Sequence, residues 1–391
     1  MDKAVCSAVH HGLCITAYGA VNPCCATTQD FAHINDIDNI VDYFYNDKNL
    51  ESARQAELSG EWLKECEGCK LKAQRGLVSR KEKMLSWFSP VNVEFTKANK
   101  YAIVHMDISF GNTCNQKCIM CNSNFSSQWL KDDLAMQEEA PYMRNWNQMQ
   151  LKNWSLSYEH LDQIASLVSE HTQKIEIKGG EPLYDKRFEY FVNKVSEKNP
   201  DVKWSTNTNG THFTEKNIDM LNRIKNINID VSFDGVGKTY EWIRNTSWSE
   251  AEENFHRAMS DVKHRINLNY TTMSYNVDHF EEFYNWAADT CDKFGREVAL
   301  HFTQVVTTPK LMAPVYAGED RIRKGIEQID KIIDDPRKIC TYSTIFRPRL
   351  ETLRKYLLGC IDKEANLDDF NKMHNHMIKV RGWDIKEHVI M

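Results

Sequence analysis

The sequence predicts an α/β fold: a partial (β/α)6 barrel, preceded by a small cysteine-rich domain and followed by a helical carboxyl-terminal region. Three observations carry this. Between about residue 100 and residue 306, six apolar strand-length runs alternate with helix-length stretches. Parallel neighbours need a crossover, for which a helix is the usual device, so the alternation implies a parallel sheet covered by helices. Six such strands suit a partial barrel better than a closed one of eight.

The strand candidates are Tyr101–Asp107, Lys174–Lys178, Val202–Thr206, Ile227–Phe233, Ile266–Thr272 and Val298–Val305. Between them the spacing predicts helices over Tyr158–Glu170, Lys186–Lys198, Glu215–Lys225, Ala251–Arg265 and Val277–Phe294. Residues 1–95 hold a hairpin-like GLCITAYGAVNPCC, with a glycine where a turn would sit, and then helical stretches. Pro90 marks the passage into the barrel unit, 96–310. Residues 311–391 read as two or three further helices, with loops around Pro336 and Pro348.

Composition narrows the function classes. Of 391 residues, 41% are hydrophobic and 27% charged, the profile of an ordinary globular protein. No apolar run approaches the roughly 18 residues that span a bilayer. The start, MDKAVCSAVHHGLCITAYG, has no clean apolar core ending in a small-residue cleavage site, so it reads as mature, cytoplasmic protein. The 49 Lys+Arg against 55 Asp+Glu give a formal charge of −6, which is no signature of nucleic-acid binding.

Twelve cysteines are many for such a chain, and their clustering is the informative part. Cys114, Cys118 and Cys121 form CxxxCxxC in the polar loop after the first barrel strand, and Cys66 and Cys69 form CxxC. Close spacing lets thiolates converge on a soft metal centre. Cys291 and Cys360 lie in helical segments and read as buried core thiols. In parallel α/β folds reactive groups gather at the carboxyl ends of strands, where the three-cysteine loop lies. Three thiolates hold three irons of a cubane and leave the fourth open to an external ligand. By spacing alone, a zinc loop is the alternative.

The segment YAIVHMDISFGNTCNQKCIMCNSNFSS resembles the signature of the radical S-adenosylmethionine (SAM) superfamily. The resemblance implies a [4Fe–4S] cluster on Cys114, Cys118 and Cys121 whose open iron binds SAM, with Met120 near the adenine. KIEIKGGEPLYD carries Gly179, Gly180, Glu181 and Pro182, similar to the family's GGEP that holds the SAM amino group. Thr208-Asn209-Gly210 is similar to the family's TNG, while Ser232 and Asp234 of VSFDG, with Arg244 downstream, are placed to reach a ribose, a carboxylate or the substrate. Asn269 and Thr271 alternate with Leu268 and Tyr270, giving the fifth strand one polar face. The implied reaction begins with reductive SAM cleavage to a 5′-deoxyadenosyl radical, and a reductant such as flavodoxin or ferredoxin would supply the electron.

A second pattern precedes the barrel. Cys6, the Gx4C run Gly19–Cys24 and Cys66-Glu67-Gly68-Cys69 resemble the twitch domain, the smaller relative of the SPASM domain. That resemblance implies an auxiliary [4Fe–4S] cluster on Cys6, Cys24, Cys66 and Cys69, with Cys25 as the alternative to Cys24 and structural zinc as the alternative metal. Cys14 reads as a packed hairpin residue. In most such proteins the module follows the barrel; here it comes first.

The leading expectation is therefore a radical SAM enzyme acting oxidatively, or with bond formation, on a small molecule or peptide. The alternatives are an epimerase with Cys340 as hydrogen donor, a nucleic-acid-modifying enzyme, and an iron–sulfur or zinc scaffold without catalysis. Residues 132–153, flanked by Trp129 and Trp154 and containing Trp146, read as a lid or a packed surface helix.

Overall fold

In the computed structural model, residues 6–88, 91–139, 141, 149–306, 310–335, 343–361 and 363–382 are described. They form an α/β architecture with a mixed sheet and a helical carboxyl-terminal region. The chain divides into two compact units: 1–113, 153–206 and 223–227 in the first; 114–152, 207–222 and 228–391 in the second.

The first unit holds β1 (Gly12–Ile15), β2 (Ala20–Asn22), β3 (Ala32–His33), β4 (His105–Ser109), β5 (Lys174–Lys178) and β6 (Lys203–Thr208) as far as Thr206, ordered β3-β2-β1-β4-β5-β6. The expected hairpin is present: β1 pairs antiparallel with β2 around Gly19, whose φ of +88° only glycine takes at no cost. Its first strand is buried at all four positions rather than alternating, because β1 also pairs in parallel with β4, Cys14 opposite Asp107. Cys14 is buried, as the sequence suggests.

Alternation is clear in β4 and β5. Met106, Ile108, Ile175 and Ile177 are fully buried, and Trp204, opposite Ile175, packs on Phe188 and Phe191 of helix Arg187–Ser196. Residues of the other parity, His105, Asp107, Lys174, Glu176, Lys178 and Ser205, make a charged face.

The second unit holds β7 (Ile227–Ser232) from Asn228 on, β8 (Ile266–Thr272) and β9 (Ala299–Val305), all parallel. Helices Gly237–Arg244, Trp248–Asp261 and Phe280–Phe294 belong to it, with Cys291 buried in the last. Cys360 is buried in helix Ser343–Ile361. Helix Leu367–Arg381 contributes Phe370, Met373, Met377 and Ile378 to an apolar core with Ile119, Trp129, Trp242 and Tyr275.

Candidate functional site

The loop carrying Cys114, Cys118 and Cys121 is tethered along its whole length. The Cys114 amide donates to Ser127 Oγ, which donates back to the Cys114 carbonyl, both at 3.3 Å. Ser126 Oγ donates to the Gln116 carbonyl (2.6 Å), and Gln116 Nε2 meets the Tyr240 hydroxyl (3.1 Å). Trp129 Nε1 donates to the Cys118 carbonyl at 2.9 Å, and the Ile119 amide to the Ile243 carbonyl at 2.8 Å. Arg381, from the end of helix Leu367–Arg381, donates to the carbonyls of Lys117 (2.7 Å) and Trp242. Nothing in the sequence pattern points to Arg381, because its partners are backbone atoms far away in the chain.

Cys114 and Cys118 are buried and Cys121 is half-buried; none of the three is in a disulfide. The Gln116 amide donates to Cys114 Sγ (3.4 Å), and Arg244 Nη1 lies 3.6 Å from Cys118 Sγ. Burial pushes the Cys118 thiol up, while the Arg244 charge pulls it down toward the thiolate that metals bind. Among the described residues, no group of three or more His, Cys, Asp or Glu side chains is gathered closely enough to hold a metal ion. The fit to a cluster therefore rests on donor chemistry: three thiols outside any disulfide on one eight-residue loop, with guanidinium groups against the loop to balance thiolate charge.

Strand-end residues of the second unit converge on this loop. Arg244 pairs with Asp234, which is completely buried, stands at φ +65° and accepts the Thr271 amide at 2.6 Å. Burial works against the Arg244 charge, but Asp234 and then Cys118 outweigh it and raise the guanidinium pKa. Asn209 donates from Nδ2 to Asn115 Oδ1 at 2.8 Å, so the residue expected at a cofactor also braces the cysteine loop. Met120 packs on the apolar core under the loop. Ser232 ends β7, half-buried. On β8, Leu268 and Tyr270 are fully buried and Asn269 Oδ1 meets His301 Nδ1 at 3.0 Å, so the polar face is partly satisfied from β9.

In the first unit, the Gly179–Pro182 turn follows β5. The Glu181 amide donates to the carbonyl of Thr113, the residue before Cys114, at 2.8 Å. Gly180 has φ +59°, and a Cβ there would lie 2.3 Å from the same carbonyl. Glu181 is 1% exposed, and Oε1 accepts the Leu183 amide at 3.0 Å, capping the short turn that begins with Pro182.

Cys6, Cys24, Cys66 and Cys69 line one cavity, with Trp62, Met84, Arg80 and Lys81. Cys25 is exposed and is not part of its wall. Burial, then the neighbouring Cys6 and Cys69, push the Cys66 thiol up to about 12. Buried Glu57 accepts from the Cys6 amide (2.9 Å), His10 Nε2 (3.0 Å) and Lys81 Nζ (2.8 Å), fixing the first cysteine of the set. The four thiols are soft donors and Lys81 and Arg80 bring opposite charge to the same wall, but the thiols, too, are not gathered closely enough to hold a metal ion. Beside it runs the charged face of β4 and β5: Glu176 meets His105 (3.0 Å), Lys174 (2.8 Å) and Arg80 (3.6 Å), and Lys178 meets Asp107 (2.9 Å).

Cys340 and Trp146 lie outside the described residues, as does part of the 132–153 segment. No described helix is long and apolar enough to cross a membrane.

Residues 108–287 match the family model described as the Radical SAM superfamily. No curated protein matches the chain. Among solved structures, it is similar to native anSMEcpe with bound AdoMet and Kp18Cys peptide, at 15% identity over 59% of this chain and 61% of that one, TM-score 0.41. It is similar to Streptococcus suis SuiB bound to precursor peptide SuiA, at 14% identity over 75% and 63%, TM-score 0.40. It is similar to TYW1 with a lysine-pyruvate adduct bound, at 15% identity over 59% and 71%, TM-score 0.31. The chain thus spans 61% of the length of the anSMEcpe chain.

Proposed function

We propose that this enzyme, which carries a radical SAM domain over residues 108–287, modifies a small molecule or peptide by hydrogen abstraction. The observation that carries the reading is the family match together with three cysteines, none in a disulfide, on a braced loop after β4. When bound and reduced, a [4Fe–4S] cluster with SAM supplies a 5′-deoxyadenosyl radical. On this reading the chain's own residues do the rest. Cys114, Cys118 and Cys121 hold the cluster. Gly179 and Gly180 let backbone approach SAM, and Glu181 in the turn ending at Pro182 receives its amino group. Asn209, Ser232, Asp234 and Arg244 shape the remainder of the cofactor site, and Met120 supplies an apolar wall.

A partial barrel over 96–310 would shield the radical, between an amino-terminal auxiliary domain over 1–95 and a helical region over 311–391. A second [4Fe–4S] cluster on Cys6, Cys24, Cys66 and Cys69 would take up an electron from the product radical or hold the substrate. Its support is the single cavity those four thiols line. The charged face with Asp107, Glu176 and Lys178 suits a polar substrate. A ferredoxin or flavodoxin in the cytoplasm completes the scheme.

Anaerobic reconstitution followed by dithionite reduction tests it. The expected result is about eight iron and eight sulfide per chain, the content of two cubanes, with SAM converted to 5′-deoxyadenosine. The Cys66→Ala/Cys69→Ala variant should lose half the iron and keep SAM cleavage. Absence of 5′-deoxyadenosine from the iron-loaded, reduced protein refutes the core reading; four iron with one tightly held zinc refutes the second cluster alone.

A further inference from the structure

We propose that a cavity of the first unit binds a small dianionic oxyanion of the phosphate type. The cavity measures about 220 Å3 and is walled by Arg54, Glu51, Thr96, Lys97, Lys100 and Tyr101, with no cysteine in its lining. It is smaller than the roughly 300–1,000 Å3 of drug-sized ligand sites, so the occupant is small.

Arg54 is the centre of the argument. The residue is 3% exposed and its guanidinium lies between the rings of Phe44 (4.7 Å) and Tyr101 (5.2 Å). Only Nη1 finds a hydrogen-bond acceptor, the Phe44 carbonyl at 2.9 Å; Nε and Nη2 are buried without one. Buried polar groups are nearly always satisfied, and a buried charge with idle donors marks a place where an acceptor belongs. The guanidinium fork matches the paired oxygens of a phosphate or carboxylate.

Charge selects between those two. Arg54, Lys97 and Lys100 put three cations on the cavity against one carboxylate, Glu51. Glu51 Oε1 accepts from Gln55 (2.8 Å) and Lys100 (3.5 Å), while Oε2 is buried without a hydrogen-bond donor and stands 3.9 Å from Arg54 Nη1, so this one carboxylate offsets only part of the positive charge. His11 adds no charge at neutral pH, because burial lowers its pKa to about 4; its nitrogens meet the Ala102 carbonyl (2.7 Å) and Thr96 Oγ1 (3.0 Å). An excess of two positive charges is balanced by a dianion such as hydrogen phosphate, and not by a monocarboxylate.

Calorimetric titration of the full chain, purified anaerobically, with inorganic phosphate in chloride-balanced buffer tests this. Saturable binding of one phosphate is expected, with acetate at least ~tenfold weaker. Lys97 and Lys100 are exposed, so Lys97→Ala/Lys100→Ala should fold as the parent does by circular dichroism and bind phosphate at least ~tenfold more weakly. Arg54→Lys keeps the charge and removes the fork, and should weaken binding to a similar degree; the double lysine variant decides alone if this one does not fold. No saturable binding, or binding undiminished in the double lysine variant, overturns the site. Acetate binding as tightly as phosphate overturns the dianion assignment.

Discussion

Asp234 offers the sharpest test of how the cysteine loop is supported. Asp234→Asn preserves shape and removes only the charge. The position stands at φ +65°, where Asn is among the residues that sit most readily, so the backbone is not strained. The amide oxygen can still accept from Thr271, but the new NH2 group faces the Arg244 guanidinium, donor against donor. Arg244 is 8% exposed and would be left as a buried, uncompensated cation beside Cys118. Breaking a buried pair from one side costs about 3–5 kcal/mol. Urea denaturation followed by tryptophan fluorescence should show a loss of that size at unchanged slope. Asp234→Asn/Arg244→Met removes the stranded cation as well and should recover most of the loss, which a double-mutant cycle would read as coupling. A loss below ~1 kcal/mol in the single variant, or no recovery in the double one, would refute the view that this pair is a coupled, desolvated support of the loop.

Three further outcomes are expected. Arg381→Ala removes two guanidinium–carbonyl hydrogen bonds, each worth about 1.5–3 kcal/mol, so amides of residues 114–121 should exchange faster by deuterium uptake; unchanged uptake would exclude a clamp at that position. Gly180→Ala places a methyl 2.3 Å from the Thr113 carbonyl at positive φ, and should destabilise the chain by more than ~1 kcal/mol and weaken SAM binding at least ~tenfold by calorimetry. The first unit should also be acid-labile in two stages. Burial lowers the folded-state pKa of His11 from 6.5 to about 4, so stability is whole above pH 6.5 and falls as the unfolded chain takes up the proton down to pH 4, by about 3 kcal/mol. Burial opposes the Glu57 charge, but hydrogen bonds from His10, Lys81 and the Cys6 amide hold its pKa down to about 2; that contribution is present above pH 4.5 and is lost as pH falls from there to 2. Melting temperatures at pH 7 and 4.5 should differ less in His11→Asn than in the parent.

Much of the sheet could be read directly from residue order. Lys174–Lys178 and Ile266–Thr272 are strands with the bounds their patterns suggest, since alternation and flanking turns agree there. The run expected from Tyr101 begins only at His105, because Tyr101 takes φ +74° and leaves extended geometry. The helix expected from Ala251 starts at Trp248, where Ser247 accepts the Glu250 amide as a cap. The pairing of β1 with β4 escaped the pattern altogether: periodicity reports which face is apolar, not which distant strand lies alongside. Arg381 escaped for the same reason, as did the buried Glu57 that holds Cys6.

The parallel seam between β1 and β4 also sets a timetable. Local hydrogen bonds can close the β1–β2 hairpin as soon as it leaves the ribosome, but the outer edge of β1 has no partner until His105–Ser109 has been made. Contacts between distant segments form late because loop closure must precede any reward from pairing. During that interval the final position of β1 is not yet fixed. A chain stalled before that point would present an open strand edge to its surroundings.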